Sequence, residues 1–345
     1  MIARIYKFFV VFLLLAVSNR GYAQDVHFSQ FNMSPLTLNP GETGNFVGDC
    51  RVVNNLRQQW KAIGIPYQTL DLSYEKQLYL GEHHLTAGLI LVHDRSGDAE
   101  LTLNKFYLTA SYHRNILGQG LHAGMQIGYV KKSFSMDALT FPNQFDITQG
   151  MFVNDNPSLP NNEQSYGLGE SLSYLDANAG IVWTGHFNKF RPEAGIALFH
   201  FIFPKETFFD NGDNHLKPRT VIHGQGIYDI NETWYGRPKL LYMLTRKASD
   251  VVVGADLGYK LGTNKYKIKS IYAGANYRDG FWRNKDAMIA VGGIEFNRVD
   301  IGLSYDVNIS GLKIATQKHG ALEFSFIYRC KSSQPPKITI PCDRL

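Results

Sequence analysis

The sequence predicts an all-β fold: a transmembrane antiparallel β-barrel of about 14 strands. Three observations predict it. Side chains alternate with a period of two, an export leader is followed by no second apolar span, and the alternating segments have the length of tilted membrane strands.

The alternation is clearest near the C-terminus, where Leu322, Phe324, Phe326 and Tyr328 alternate with Ala321, Glu323, Ser325 and Ile327. Upstream, Leu70, Leu72 and Tyr74 alternate with Asp71, Ser73 and Glu75, and Phe106, Leu108, Ala110 and Tyr112 with Lys105, Tyr107, Thr109 and Ser111. Ile301, Leu303, Tyr305 and Val307 do the same with Gly302, Ser304, Asp306 and Asn308. A period of two sends one set of side chains to each face of a strand. In a soluble sandwich the polar face meets water. In a transmembrane barrel it lines the lumen, and the apolar face meets lipid.

The N-terminus favours the membrane. Arg4 and Lys7 precede an apolar run, Phe8–Val17, and Gly21-Tyr22-Ala23 supplies small residues before Gln24. That order is a cleavable signal peptide over 1–23, its apolar run about half of what spans a bilayer as a helix. No Cys follows the cleavage site, which argues against a lipoprotein. Composition agrees: 32 Gly, 19 Tyr and 22 Phe beside only 19% charged residues suit aromatic girdles and crowded inner faces. A net charge of +5, with no basic run interleaved with aromatics, argues against nucleic acid.

Strands are predicted at 49–60, 67–78, 84–93, 101–115, 120–134, 172–184 and 190–200, then at 219–229, 236–244, 250–260, 269–278, 286–297, 299–307 and 320–329. The count is even, as a barrel with both ends in the periplasm requires. Parity then puts the short connections Asn115–Gln119, Gly185–Lys189, Ile230–Thr233 and Asn297-Arg298 inside. The two longest, Ser135–Ser171 and Phe201–Pro218, fall outside the cell. The organisation is thus a signal peptide (1–23), a periplasmic or lumenal N-terminal segment (24–48), the barrel (49–329) and a periplasmic tail (330–345). The 24–48 segment, rich in Asn, Pro and Gly, is long for a leader and is a candidate plug.

Alternation directs Asp71, Glu75, Lys105, His122, Gln126, Asp256, Arg278, Glu295, Asp306 and Glu323 inward. Mixed signs suit a cross-braced interior better than a charge-selective pore. No catalytic, cofactor or metal site is expected. His83-His84 and His93-Asp94 lack a completing Cys/His spacing. No G-x-S-x-G places a nucleophile beside a base, and Gly167-Leu168-Gly169 precedes a strand instead of a helix. Cys50 opens the first strand and Cys330 closes the last, so barrel closure brings them together, with Cys342 within tether reach. The periplasm permits disulfides, and Cys50 is expected to pair with Cys330 or Cys342.

The segment Gln24-Asp25-Val26-His27-Phe28-Ser29-Gln30-Phe31, followed by Pro35-Leu36-Thr37-Leu38-Asn39-Pro40, resembles the start of mature PorP/SprF proteins. The resemblance continues at Arg51, Arg57-Gln58-Gln59-Trp60 and Pro66-Tyr67-Gln68-Thr69. It returns at Ser304-Tyr305-Asp306-Val307-Asn308, Gly320-Ala321-Leu322-Glu323-Phe324-Ser325 and Pro341-Cys342-Asp343-Arg344-Leu345. The chain departs at Gly41-Glu42, where an Ala-Phe type continuation is usual, and at Asp343, which replaces a second Pro. The resemblance implies a non-enzymatic outer-membrane component of the type IX secretion and gliding machinery of Bacteroidetes. It would support export or surface anchoring of a large adhesin and contact periplasmic ring lipoproteins. Phe203, Phe208 and Phe209 beside Lys205 form a candidate partner patch in an outer loop. The alternative function is a passive or ligand-specific channel resembling hydrophobic-compound transporters.

This topology is testable on intact cells with an impermeant thiol reagent. Cysteine placed in the 135–171 or 201–218 connections should be labelled and cysteine in the 297–298 turn should not; the reverse pattern would refute it.

Overall fold

A computed structural model describes residues 27–333 apart from 63, 81–82, 98, 137–138, 140–143, 153–167, 247, 263–267 and 281–284. The predicted signal peptide and most of the C-terminal tail, with Cys342, lie outside the described residues. The strands are β1 (Cys50–Gln59), β2 (Tyr67–Leu80), β3 (His83–Ser96), β4 (Leu101–Ile116), β5 (Gln119–Ser133), β6 (Phe145–Asp146), β7 (Met151–Phe152) and β8 (Ser171–Thr184). They continue with β9 (Phe190–Phe199), β10 (Arg219–Asp229), β11 (Trp234–Thr245), β12 (Ala248–Lys260), β13 (Ile268–Asp279), β14 (Lys285–Phe296), β15 (Val299–Asn308) and β16 (His319–Arg329).

Fourteen of these close an antiparallel barrel in which each strand pairs with its sequence neighbour and β1 pairs with β16. β6 and β7 make a separate ribbon in the long 134–170 connection, a feature that the alternation does not reveal. Closure runs from Arg51 opposite Arg329 to Gln59 opposite Ala321, leaving no sheet edge. No helix among the described residues is long and apolar enough to cross a membrane; the strands do the crossing.

Alternation is visible in the burial of every long strand. In β2, Thr69, Asp71, Ser73 and Glu75 are buried inside while Leu70, Leu72 and Tyr74 are exposed outside. Leu108, Ile127, Leu175, Ile196, Leu240 and Leu303 continue the exposed apolar surface round the barrel. In water this would be a liability, and in a bilayer it is the solvated face. Aromatic pairs gather near the strand ends, with Trp234 on Tyr259 at the short-turn end and Trp60 on Tyr67 at the long-loop end, both at 4.9 Å.

The inner face differs from the uniformly polar lumen that alternation implies. Ile90, Val92, Val130, Val182, Val221, Leu241, Val252, Ile289 and Val291 are buried inward-facing wall residues. A dry apolar wall needs an apolar partner, and the N-terminal segment supplies it. Phe31 and Leu38 join a cluster with Val221, Leu241, Val252 and Ile289. Leu36 packs with Ile90, Val92 and Val130, and Met33 with Val53 and Ile327. Each such burial stabilises by roughly 1.5–3 kcal/mol. The barrel therefore holds a hydrophobic core, built as in a soluble domain.

At the seam Cys50 and Cys330 are joined by a disulfide, their Cα atoms 5.0 Å apart and 280 residues apart in sequence. The Cys330 N–H also donates to the Cys50 carbonyl at 2.8 Å. Closing so long a loop stabilises by roughly 5 kcal/mol in the chain-entropy account. Non-reducing peptide mapping should recover a 50–330 cross-link, and Cys50→Ser should lower the denaturant midpoint without altering heat-modifiable gel migration. Recovery of free Cys50 and Cys330 from membranes would refute the cross-link.

Candidate functional site

The N-terminal segment runs through the lumen. His27 and Phe28 lie among Arg219, Val221, Leu241 and Met243, toward the long-loop end of β10 and β11. Three short turns, Phe31–Met33, Pro35–Leu38 and Pro40–Glu42, fold the chain back on itself. Pro35 and Pro40 each open a turn, where the missing N–H has no cost. The segment leaves at the short-turn end, where Gly48 meets the Cys330 carbonyl, and continues into β1.

Ser29 is the first tie. Its N–H donates to Glu323 Oε1 at 2.6 Å, and the next N–H, of Gln30, donates to Glu323 Oε2 at 3.0 Å. Ser29 Oγ donates to Asp306 Oδ2 at 2.8 Å and accepts from Arg57 Nη1 and Arg278 Nη1, each at 2.7 Å. Arg57 also pairs with Glu323, and Arg278 bonds Asp306 at 2.9 Å. These ionised side chains are almost fully buried, so every charge here depends on the others.

Farther along, Ser34 Oγ donates to Asp71 Oδ2 at 2.7 Å, and Asn55 Nδ2 donates to the same carboxylate and to the Met33 carbonyl. Gln126 Nε2 donates to the Leu36 carbonyl at 2.9 Å. Thr43 bonds Thr109, and the Gly44 N–H donates to Glu75, which Arg51 grips through two nitrogens. The Asn39-Pro40 elbow sits on bare backbone. A Cβ at Gly124 would lie 2.0 Å from the Pro40 carbonyl oxygen, and one at Gly180 would lie 1.9 Å from Asn39 Oδ1. Only glycine permits this approach.

Beside the elbow, Glu42, Glu193 on β9 and His223 on β10 bring ligand-type atoms within 4.8 Å of one another. Asn45 Nδ2 donates to Glu42 Oε2 at 2.8 Å and to Glu193 Oε2 at 2.7 Å. Burial, and then the neighbouring Glu193 charge, push the Glu42 carboxyl well above the usual carboxylate range. A stack of imidazoles lies nearby, His84 4.4 Å from His113 and His113 4.8 Å from His122 between ring centres.

The residues that sequence directed inward are found there: Asp71, Glu75, Gln126, Asp256, Arg278, Asp306 and Glu323 buried, and Lys105, His122 and Glu295 partly buried. His83 and His84 diverge, one toward Tyr112 on the exposed side and the other into the imidazole stack. His93 bonds Asn104, and Asp94 accepts from Thr69. The partner patch is only partly assembled. Phe203 and Phe209 are each about half exposed and Lys205 is exposed, but Phe208 packs edge-on against Phe134 at 5.0 Å. Phe203 has a φ of +53°, a strained setting for a bulky side chain. The base of this loop is fixed by His200, whose Nδ1 lies 2.7 Å from Asp176, itself bonded by Tyr107.

Sequence reading missed the ties of Asn39, Glu193 and His223, which come from three distant segments. The signal available was glycine at 124 and 180 within otherwise regular strands.

Removing one member of the Ser29 cluster should expose its strength. Glu323→Ala strips two backbone donors and Arg57 of their acceptor and should cost about 3–5 kcal/mol. Denaturant melts and hydrogen exchange over residues 28–44 measure it; unchanged protection would mean that the segment is held elsewhere.

The toluene transporter TbuX of Ralstonia pickettii is similar in structure, with a TM-score of 0.49 and 11% identity over 91% of this chain and 97% of that one. The toluene transporter TodX of Pseudomonas putida aligns at 0.46 and 13% identity over 86% and 92%. CdiB from Acinetobacter baumannii aligns at 0.45 and 8% over 82% and 60%. No curated protein matches the sequence. The type IX secretion system membrane protein PorP/SprF family matches residues 20–328, nearly the whole chain, and the protein belongs to that family.

Proposed function

We propose that this outer-membrane barrel is a closed, non-enzymatic anchor or escort for a secreted protein of the type IX pathway. A large adhesin is the client class, held at the long-loop rim, and periplasmic ring lipoproteins are the partners at the short-turn end. One observation carries the reading: the lumen is occupied by the protein's own N-terminal segment, tied through buried charges and three apolar clusters. With the through-path filled, the surfaces left to act are the two ends. A cavity of about 440 Å³ opens among Arg191, Tyr235, Arg237, Lys260 and Glu295 at the short-turn end, and two cavities lined by the plug measure about 30 and 20 Å³. At the other end, Phe203 and Phe209 with Lys205 offer exposed aromatic surface rimmed by charge.

Planar-bilayer recordings of the purified protein should show no reproducible open level. Gly180→Val suits a strand but collides with Asn39, so it should unseat the segment and produce open levels while the barrel remains folded. Steady conductance from the unmodified protein would transfer the assignment to a channel for small apolar solutes. In cells, Phe203→Ser with Phe209→Ser should reduce surface retention of one large secreted protein at unchanged barrel abundance. An unaltered surface proteome would remove the rim from the proposal.

A further inference from the structure

We propose that Glu42, Glu193 and His223 form a site for a first-row divalent metal ion that pins the plug to the barrel wall. The three residues come from the plug, β9 and β10, and their ligand-type atoms lie within 4.8 Å of one another. Carboxylate and imidazole are donor types that zinc, iron(II) and manganese(II) accept.

Two details of the surroundings point to an ion. First, the imidazole presents a lone pair. The Asn39 amide is oriented by the Gly41 N–H, which donates to Oδ1 at 2.8 Å, and by its own Nδ2, which donates to the Ile181 carbonyl at 3.2 Å. That leaves Nδ2 as donor to His223 Nε2 at 3.0 Å, so Nε2 is the unprotonated nitrogen, the form that binds metals. Second, Glu42 Oε1 is buried, 3.8 Å from His223 Nε2, and has no hydrogen-bond partner. Its sister oxygen is satisfied by Asn45. A buried carboxylate oxygen without a donor, beside a second carboxylate, is costly. A cation between the three groups removes that cost.

Binding draws the three groups together. Ligand atoms about 2.0–2.1 Å from zinc in a tetrahedral site lie roughly 3.3 Å from one another, so the 3.8 Å contact between Glu42 and His223 closes by about half an ångström. The widest separation, within 4.8 Å, closes by up to about 1.5 Å. Asn39 Nδ2 yields Nε2 and keeps its Ile181 bond. Asn45 and Gln225, the latter donating to Glu193 Oε1 at 2.5 Å, orient the carboxylates from outside. The site does not depend on the secretion reading, because a plug held by metal serves a regulated channel equally well.

The test uses full-length protein extracted from the outer membrane without a polyhistidine tag, stripped with EDTA and titrated with Zn²⁺ and Co²⁺. One ion per barrel is expected, with the d–d absorption of Co²⁺ in mixed nitrogen and oxygen coordination. Glu42→Gln, Glu193→Gln and His223→Gln should each weaken binding by more than roughly tenfold, since loss of an outer partner alone costs that much. His113→Gln, in the neighbouring imidazole stack, should leave binding unchanged. Zn²⁺ should also raise the melting temperature of the unmodified protein but not of Glu42→Gln, a plug variant that leaves every strand pairing intact. Substoichiometric binding, binding that survives Glu42→Gln, or binding lost with His113→Gln would each overturn the site. No binding at all would overturn it as well.

Discussion

The Glu323 carboxylate holds the molecule in register. It accepts from two consecutive backbone N–H groups of the plug and pairs with Arg57 on β1, while its own strand, β16, closes the barrel against β1. Seam closure and plug seating therefore share an acceptor. Charges this deeply buried are tolerable only as a complete set, because each alone would carry a desolvation penalty of several kcal/mol. Arg57, Arg278, Asp306 and Glu323 form that set, and Ser29 supplies the hydroxyl that completes it. The cluster acts as a specificity device: a plug displaced by one residue takes the Ser29 hydroxyl from Arg57, Arg278 and Asp306 and two backbone N–H donors from Glu323.

The fold shows how a barrel of moderate circumference avoids an empty centre. Side chains from the wall alone do not fill a lumen of this strand number. A water-filled channel is one solution, and a plug is another. This chain takes the second with 20 or so residues, apolar where the wall is apolar and hydrogen-bonding where it is polar. The glycines at 124 and 180 bring wall and plug backbones into contact and remove the gap that a side chain would have to fill.

Much of this was legible beforehand. Strand number, closure and most strand limits follow from period-two alternation, because a membrane strand has one face in lipid and cannot hide its pattern. β2, β15 and β16 read clearly for that reason. The apolar inner wall did not. Leu89-Ile90-Leu91-Val92 and Val251-Val252-Val253 are apolar on both faces, and alternation is silent where both environments are dry. The 24–48 segment was recognisable as surplus chain, yet its partners were not, since Asn39 reaches residue 223 and Ser29 reaches residue 323. The aromatic patch at 203–209 was half legible: composition marked it, but only packing separates Phe208 on Phe134 from the exposed Phe203 and Phe209.

The plug's path also bears on how the molecule is assembled. Residue 27 lies toward the long-loop end, and residue 48 touches the seam at the opposite end, so the chain threads the full lumen before its first strand begins. It is gripped by strands from both halves of the sheet, including the last to be synthesised. A finished barrel has no lateral opening through which this segment could enter sideways. The segment therefore takes its place along the barrel axis, either with the sheet curling around it or end-on through the short-turn mouth. In either order, closing β16 onto β1 sets Glu323 beside Arg57, and the pair that completes the wall is the pair that receives the Ser29 end of the plug.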